Sequence, residues 1–196
     1  MINQILYIFI AYFIGSISFG ILASKIFSIT DPRAMGSKNP GATNVLRTGN
    51  KYAAVFTLLG DMLKATLVVG IALSLNFSGN FLTAVILAVL LGHMYPIFYN
   101  FKGGKGVATA LGILLAINWE LALFTLLIWI IIFFISKYSS LSAIIAAIAS
   151  PLIAYTLNQG QYIIIISVVL AILILLRHKR NIQNLINGTE SSFKSN

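Results

Sequence analysis

The chain has 196 residues, of which 59% are hydrophobic and 9% charged, with a mean hydropathy of +0.95; so little polar surface cannot clothe a soluble domain, and the chain reads as an integral membrane protein. It has no cysteine, which excludes a thiol nucleophile, a disulfide framework and a Cys-ligated metal. The net charge of +9 would suit nucleic acid only if the basic residues formed a stripe on a soluble module, and their placement argues for membrane topology instead.

A helix that crosses a bilayer needs about 20 apolar residues. Seven apolar runs are present, at 3–24, 52–76, 80–98, 106–117, 120–136, 141–157 and 161–176, and they predict an all-α bundle of seven transmembrane helices. The first, from Ile2 to about Ala23, has no basic leader and no small-residue cleavage site, so it reads as a retained helix rather than a signal peptide. Its Gly15, Ser16, Ser18 and Gly20 predict close approach of a neighbouring backbone. The fourth run, with about 12 residues, rises only about 18 Å against a hydrocarbon core of about 30 Å. It is expected to be a half-helix whose Gly-rich start is shielded by protein. Trp119 and Trp129 are expected at an interface or facing lipid, and Pro151 to kink the sixth helix, its freed carbonyl met by neighbours. Residues 189–196 are polar and read as a frayed tail. No internal repeat is visible, so 1–196 reads as one domain and a transporter built from two halves is not indicated.

Basic residues alternate between connections. Lys25, Arg33, Lys38, Arg47 and Lys51 lie in the first, Lys102 and Lys105 in the third, Lys137 in the fifth, and Arg177, Lys179, Arg180 and Lys194 in the tail. The second, fourth and sixth connections hold none. The excess of positive charge on cytoplasmic loops then predicts an external N-terminus and a cytoplasmic C-terminus. Re-entrant fourth and fifth segments would give the same pattern.

Three connections carry more chemistry than a turn needs. In the third, Gly103-Gly104-Lys105-Gly106 precedes an apolar helix: three glycines let backbone N–H groups turn toward an anion, and the lysine adds a point charge. Walker A spacing is absent, and a plain turn with an orienting lysine is the alternative. In the first connection the polar stretch runs from Asp31 to Arg47. Gly36 and Gly41 permit unusual backbone angles there, Ser37, Asn39, Thr43 and Asn44 supply neutral donors, and Arg47 offers a fork matching phosphate; a loop folded on its own turns and caps is the alternative. After the last helix, Arg177-His-Lys-Arg-Asn-Ile-Gln-Asn184 forms a basic patch suited to anionic lipid, with His178 and Asn181 on one face if the helix continues.

The chain's ordinary proton-transfer side chains are His93, His178, Asp31, Asp61, Glu120 and Glu190. His93 has no carboxylate at helical spacing after it and reads first as a structural residue. Asp61 and Lys64 sit three apart inside the second run, where ionisable groups are expensive. A mutual ion pair is the simpler reading, and Asp61 orienting a basic residue of a site the sharper one.

Residues 36–47, 92–98 with 101–109, and 177–182 resemble the three motifs of the bacterial acyl-phosphate:glycerol-3-phosphate acyltransferases, the PlsY family, in the same order and over nearly the whole chain. The resemblance implies a seven-helix inner-membrane enzyme that moves a fatty acyl group from acyl phosphate to the 1-hydroxyl of sn-glycerol 3-phosphate, giving lysophosphatidate and phosphate. Lys38 stands where the family usually has Gly, Arg180 where an acidic residue is common, Asn184 where Arg is usual, and Ala143 where a serine is found; Ser140 matches a family serine. On this reading Ser37, Asn39, Gly41, Thr43, Gly103, Gly104 and Gly106 hold the acyl phosphate, and Arg47, Lys105 and His178 grip glycerol 3-phosphate. Ser37, Ser140 and Asn181 are the catalytic candidates. No metal or cofactor is called for, and the partners are the two substrates and the bilayer, with no nucleic acid. A small anion transporter and a lipid-binding scaffold are the rival classes.

Overall fold

The computed structural model describes residues 2–193, so Lys194 of the basic tail lies outside the described residues. All regular structure among them is helical: α1 Ile2–Gly15, α2 Phe19–Ile26, α3 Ala42–Leu46, α4 Lys51–Ser74, α5 Gly79–Met94, α6 Val107–Ile117, α7 Trp119–Ser136, α8 Ser139–Thr156, α9 Gln161–Arg177 and α10 Lys179–Ile186, with single 3-10 turns at Pro32–Ala34 and Ile97–Tyr99. The chain that reads as one domain forms two compact units that divide between Ala116 and Ile117.

Four segments are long and apolar enough to cross a membrane: α4, Gly79–Tyr99, α7 and α8. Six spans result if α1 with α2, bent by 45°, and α9 with α10, bent by 63°, each count as one. The predicted seventh is α6, an apolar helix of only 11 residues. The outer faces carry large apolar side chains, among them Phe9 at 58% exposure, Leu67 at 60% and Ile135 at 76%. Only a hydrocarbon surround makes such a surface stable, so this is a multi-pass membrane protein.

In the first unit α1 runs against α5, α2 and α3 pack on α4, and α4 meets α5. The predicted close approach is observed. A Cβ at Gly15 would overlap the Val89 carbonyl, one at Gly92 the Tyr12 carbonyl, and one at Gly20 the Pro40 carbonyl. The expected single helix over 3–24 is broken, however, between Gly15 and Phe19. Ser16 Oγ turns back to the Tyr12 carbonyl at 2.9 Å and Ser18 leads α2, so small polar residues that permit packing also interrupt the helical ladder. Below the break Ala23, Val45, Ala53 and Ala54 form a buried cluster flanked by Phe27, Ile29, Leu46 and Phe56, which fixes α3 and the loop before it on α2 and α4.

In the second unit α8 packs against both α7 and α9, and α10 touches α8 and α9. Asn118 caps α7 by accepting from Leu121 N at 2.7 Å. Trp119 is 62% exposed, and Trp129 stacks on Phe133 with ring centroids 5.0 Å apart. Pro151 lies inside α8, which runs from Ser139 to Thr156. Proline lacks the N–H that would reach the Ala147 carbonyl; Ser150 Oγ donates to that carbonyl at 2.9 Å. The freed acceptor is thus met by the adjacent serine.

The glycines separate packing from propensity. Gly15→Val should force α1 off α5 and cost at least about 1–3 kcal/mol. Gly70→Ala, where an added Cβ meets nothing within 4 Å, should gain about 0.5–1 kcal/mol. Thermal unfolding in detergent measures both.

Candidate active site

The loop between α2 and α4 is organised by one side chain. Asn44, at 2% exposure, donates through Nδ2 to the carbonyls of Pro32 (2.6 Å), Asn39 (3.0 Å) and Met35 (3.1 Å). Its Oδ1 accepts from Ser37 N at 3.0 Å and from Arg47 Nη1 at 3.4 Å. An amide has two N–H protons and one oxygen, so every bonding position of Asn44 is spent inside the loop. Ser37, Asn39, Asn44 and Arg47 are therefore brought together, with the hydroxyl of exposed Ser37 and the half-buried guanidinium of Arg47 at its rim. Gly36, at φ +52°, sits directly over Asn44 Oδ1 and leaves no room for a Cβ. Asp31 takes Arg33: the two are 2.7 Å apart, the guanidinium lies 5.9 Å from the Tyr99 ring centroid, and this hydrogen bond holds the Asp31 carboxyl below the usual carboxylate range.

The glycine loop is pressed onto the end of α5. Gly104 N donates to the His93 carbonyl at 3.1 Å, and Cβ atoms at Gly103 and Gly104 would overlap the His93 carbonyl and His93 Nε2 respectively. Gly106 adopts φ +86° with Met94 and Leu90 against it; that left-handed turn starts α6, whose Ala110 N reaches the Gly106 carbonyl at 2.7 Å. The three glycines thus serve two needs, close approach at the first two and backbone handedness at the third. Lys105 is half-buried between them.

His93 is held from the other side. Lys64 Nζ lies 3.1 Å from His93 Nδ1, 2.8 Å from Asp61 Oδ1 and 2.6 Å from the Ile17 carbonyl. The expected Asp61–Lys64 ion pair is present, and the same ammonium also reaches the histidine.

In the second unit the helix bends at His178, which ends α9 and precedes α10, so the helix that would set His178 and Asn181 on one face does not run unbroken through His178. His178, 2% exposed, bonds through Nδ1 to the Ile174 carbonyl at 2.8 Å. Ser140 Oγ and Asn181 Nδ2 both donate to Glu190 Oε1, at 2.6 and 2.7 Å. The tail read as frayed is tied down through residue 193: besides Glu190, Phe193 N donates to the Lys137 carbonyl at 2.7 Å and its ring lies 6.0 Å from that of Phe133.

A family model described as glycerol-3-phosphate acyltransferase matches residues 5–188. The chain is 50% identical to a glycerol-3-phosphate acyltransferase of Methylobacillus flagellatus, with 97% of each covered. It is 51% identical to one of Neisseria meningitidis serogroup A, with 93% of each covered. The chain belongs to the glycerol-3-phosphate acyltransferase family.

Two crystal forms of PlsY, an integral membrane member of that family, superpose with TM-scores of 0.92 and 0.90 at 39% identity over 98% of this chain and 96% of theirs. One is the glycerol 3-phosphate form and the other the lysophosphatidic acid form. Against the acyltransferase pattern, Lys38 adopts φ +56°, the left-handed backbone in which a glycine is unstrained. Arg180 and Asn184 are exposed, and Ala143 is buried at 4%. Glu190 was legible only as a lone carboxylate; its place between two site candidates depends on the tail folding back. Among the described residues no three His, Asp or Glu side chains gather as a metal site.

Asn44→Ala should cost about 1–3 kcal/mol by stranding loop donors and acceptors. Asn44→Asp should cost more, because a carboxylate oxygen would face three carbonyls; thermal unfolding and acyltransferase activity of both variants read this. Glu190→Ala should remove most activity and lower the melting temperature, whereas Glu190→Gln keeps an acceptor for Ser140 and Asn181 and should lose far less in the same assays.

Proposed function

We propose that this acyltransferase takes its acyl group from acyl phosphate and places it on the 1-hydroxyl of sn-glycerol 3-phosphate, releasing lysophosphatidate and inorganic phosphate at the cytoplasmic face of the bacterial inner membrane. The observation that carries the reading is the match over residues 5–188, which contains all three loop motifs. α6 serves as the seventh, half-length helix, with the N-terminus outside and the C-terminus in the cytoplasm, as the distribution of basic residues supports.

In this proposal Ser37, Asn39, Gly41 and Thr43, with Gly103, Gly104 and Gly106, hold the acyl phosphate, and Arg47, Lys105 and His178 hold glycerol 3-phosphate. Ser140 and Asn181, fixed by Glu190, orient the reacting groups with Ser37. An acyl phosphate is a mixed anhydride, already activated, so the enzyme supplies position and charge rather than a nucleophile of its own. The glycerol hydroxyl oxygen attacks the acyl carbon, its proton passes to a phosphate oxygen of the donor, and the carbon–oxygen bond to phosphate breaks. Two features support this substrate-assisted route over a side-chain base. His93 has its Nδ1 engaged by the Lys64 ammonium, and the His-x4-Asp pattern of other glycerolipid acyltransferases is missing, since residue 98 is Phe98.

Purified protein given labelled glycerol 3-phosphate should form lysophosphatidate with acyl phosphate and not with acyl-CoA; turnover with acyl-CoA alone would overturn the donor assignment. Lys105→Ala should raise KM for glycerol 3-phosphate by at least ~10-fold, since losing a charged hydrogen bond costs about 1.5–3 kcal/mol.

A further inference from the structure

The mechanism above makes no use of the charged groups buried in α4. Lys64 and Asp61 are 5% and 2% exposed inside a membrane-crossing helix, where uncompensated charge is costly and a purely structural contact could be made by apolar side chains. An ammonium has three protons and no lone pair. Its three acceptors here are Asp61 Oδ1, the Ile17 carbonyl and His93 Nδ1, so His93 Nδ1 receives a proton and carries none. A doubly protonated ring would set two cations 3.1 Å apart, so the ring is neutral with its proton on Nε2. The 3.4 Å between His93 Nδ1 and Asp61 Oδ1 is then a contact of two acceptors sharing one ammonium, not the carboxylate–imidazole pair of a general base. His178 is the reverse case: a carbonyl only accepts, so its Nδ1, 2.8 Å from the Ile174 oxygen, carries the proton.

The Nε2 edge of His93 rests on Gly104, and the His93 carbonyl holds Gly104 N. One residue thus clamps the glycine loop by ring and backbone, immediately before Lys105. We propose that Asp61, Lys64 and His93 are positioning residues for the reaction: the buried ammonium fixes the His93 ring as the Nε2–H tautomer against Gly104, and so sets where Lys105 is presented to glycerol 3-phosphate. The last step rests on Lys105 being a ligand of that substrate. None of the three touches the reacting atoms.

The chain has only two histidines, so nitrogen-15 spectra of the full-length, histidine-labelled protein in lipid bilayers should show one Nε2–H ring and one Nδ1–H ring. Asp61→Asn with Lys64→Met keeps the volume and removes both charges; it should alter only the Nε2–H ring. In that double variant, and in His93→Asn, KM for glycerol 3-phosphate should rise about 10-fold or more, equivalent to about 1.4 kcal/mol of binding, with kcat changing less than about threefold. His93→Gln, whose amide nitrogen reaches the Nε2 position, should raise KM less than His93→Asn, which reaches only the Nδ1 position. Melting temperatures confirm that the variants fold. Two rings in the same tautomer, equal effects of Asn and Gln, or a parallel fall of kcat for all variants with both KM values shifted would each overturn the proposal. If Lys105→Ala leaves KM unchanged while the two tautomers are as expected, the assignment of Lys105 fails and the positioning step falls with it, although the ring assignment stands.

Discussion

A positive charge buried among apolar helices is tolerable only where acceptors surround it, and in this protein that requirement ties the first unit together. The ammonium of Lys64 needs three acceptors, and α4 supplies one of them in Asp61. The second is the Ile17 carbonyl, which lies in the break between α1 and α2. The third is the imidazole at the end of α5. Three elements distant in sequence are therefore fixed to one atom, and α6 joins them through Thr109 Oγ1, which donates to the Asp61 carbonyl at 3.2 Å. Thr66 Oγ1 adds a bond to the Gly112 carbonyl at 3.0 Å. Such bonds are directional, so they define the register of helices that apolar packing alone would leave free to slide.

The same economy of donors shapes the loops. The first connection contains many polar side chains, yet Asn44 is consumed by holding the loop's own backbone, leaving Ser37 and Arg47 at the rim. The glycine loop has its first two glycines pressed on α5, where any side chain would collide. Near the C-terminus Glu190 gathers Ser140 and Asn181, so a residue with no motif of its own decides how two candidate site residues point. In the first of these loops one buried polar group with its partners satisfied fixes a backbone that must remain irregular near the membrane.

Much of this was legible from residues. The helices beginning near 51, 79, 119, 139 and 161 follow from apolar runs bounded by Asn, Gly and Ser, and the close approach at Gly15 and Gly20 follows from small residues on one helix. The break at Ser16–Ser18 was not legible, because a serine in an apolar run either pairs with the preceding turn or does not, and Lys64, which takes the Ile17 carbonyl, lies 47 positions away. The bend at His178 was hidden likewise: the run of polar residues there suits a continuing helix as well as a turn.

By itself the sequence determined a multi-pass helical membrane protein, the placement of its three polar loops and the family they belong to, because hydropathy, glycine spacing and motif order act locally along the chain. Only the tertiary structure decided that Lys64 reaches His93, that Asn44 is spent within its own loop and that Glu190 returns to Ser140 and Asn181. Hydrogen bonds are short and directional, and which donor finds which acceptor depends on how the helices pack, a quantity no local stretch of residues carries.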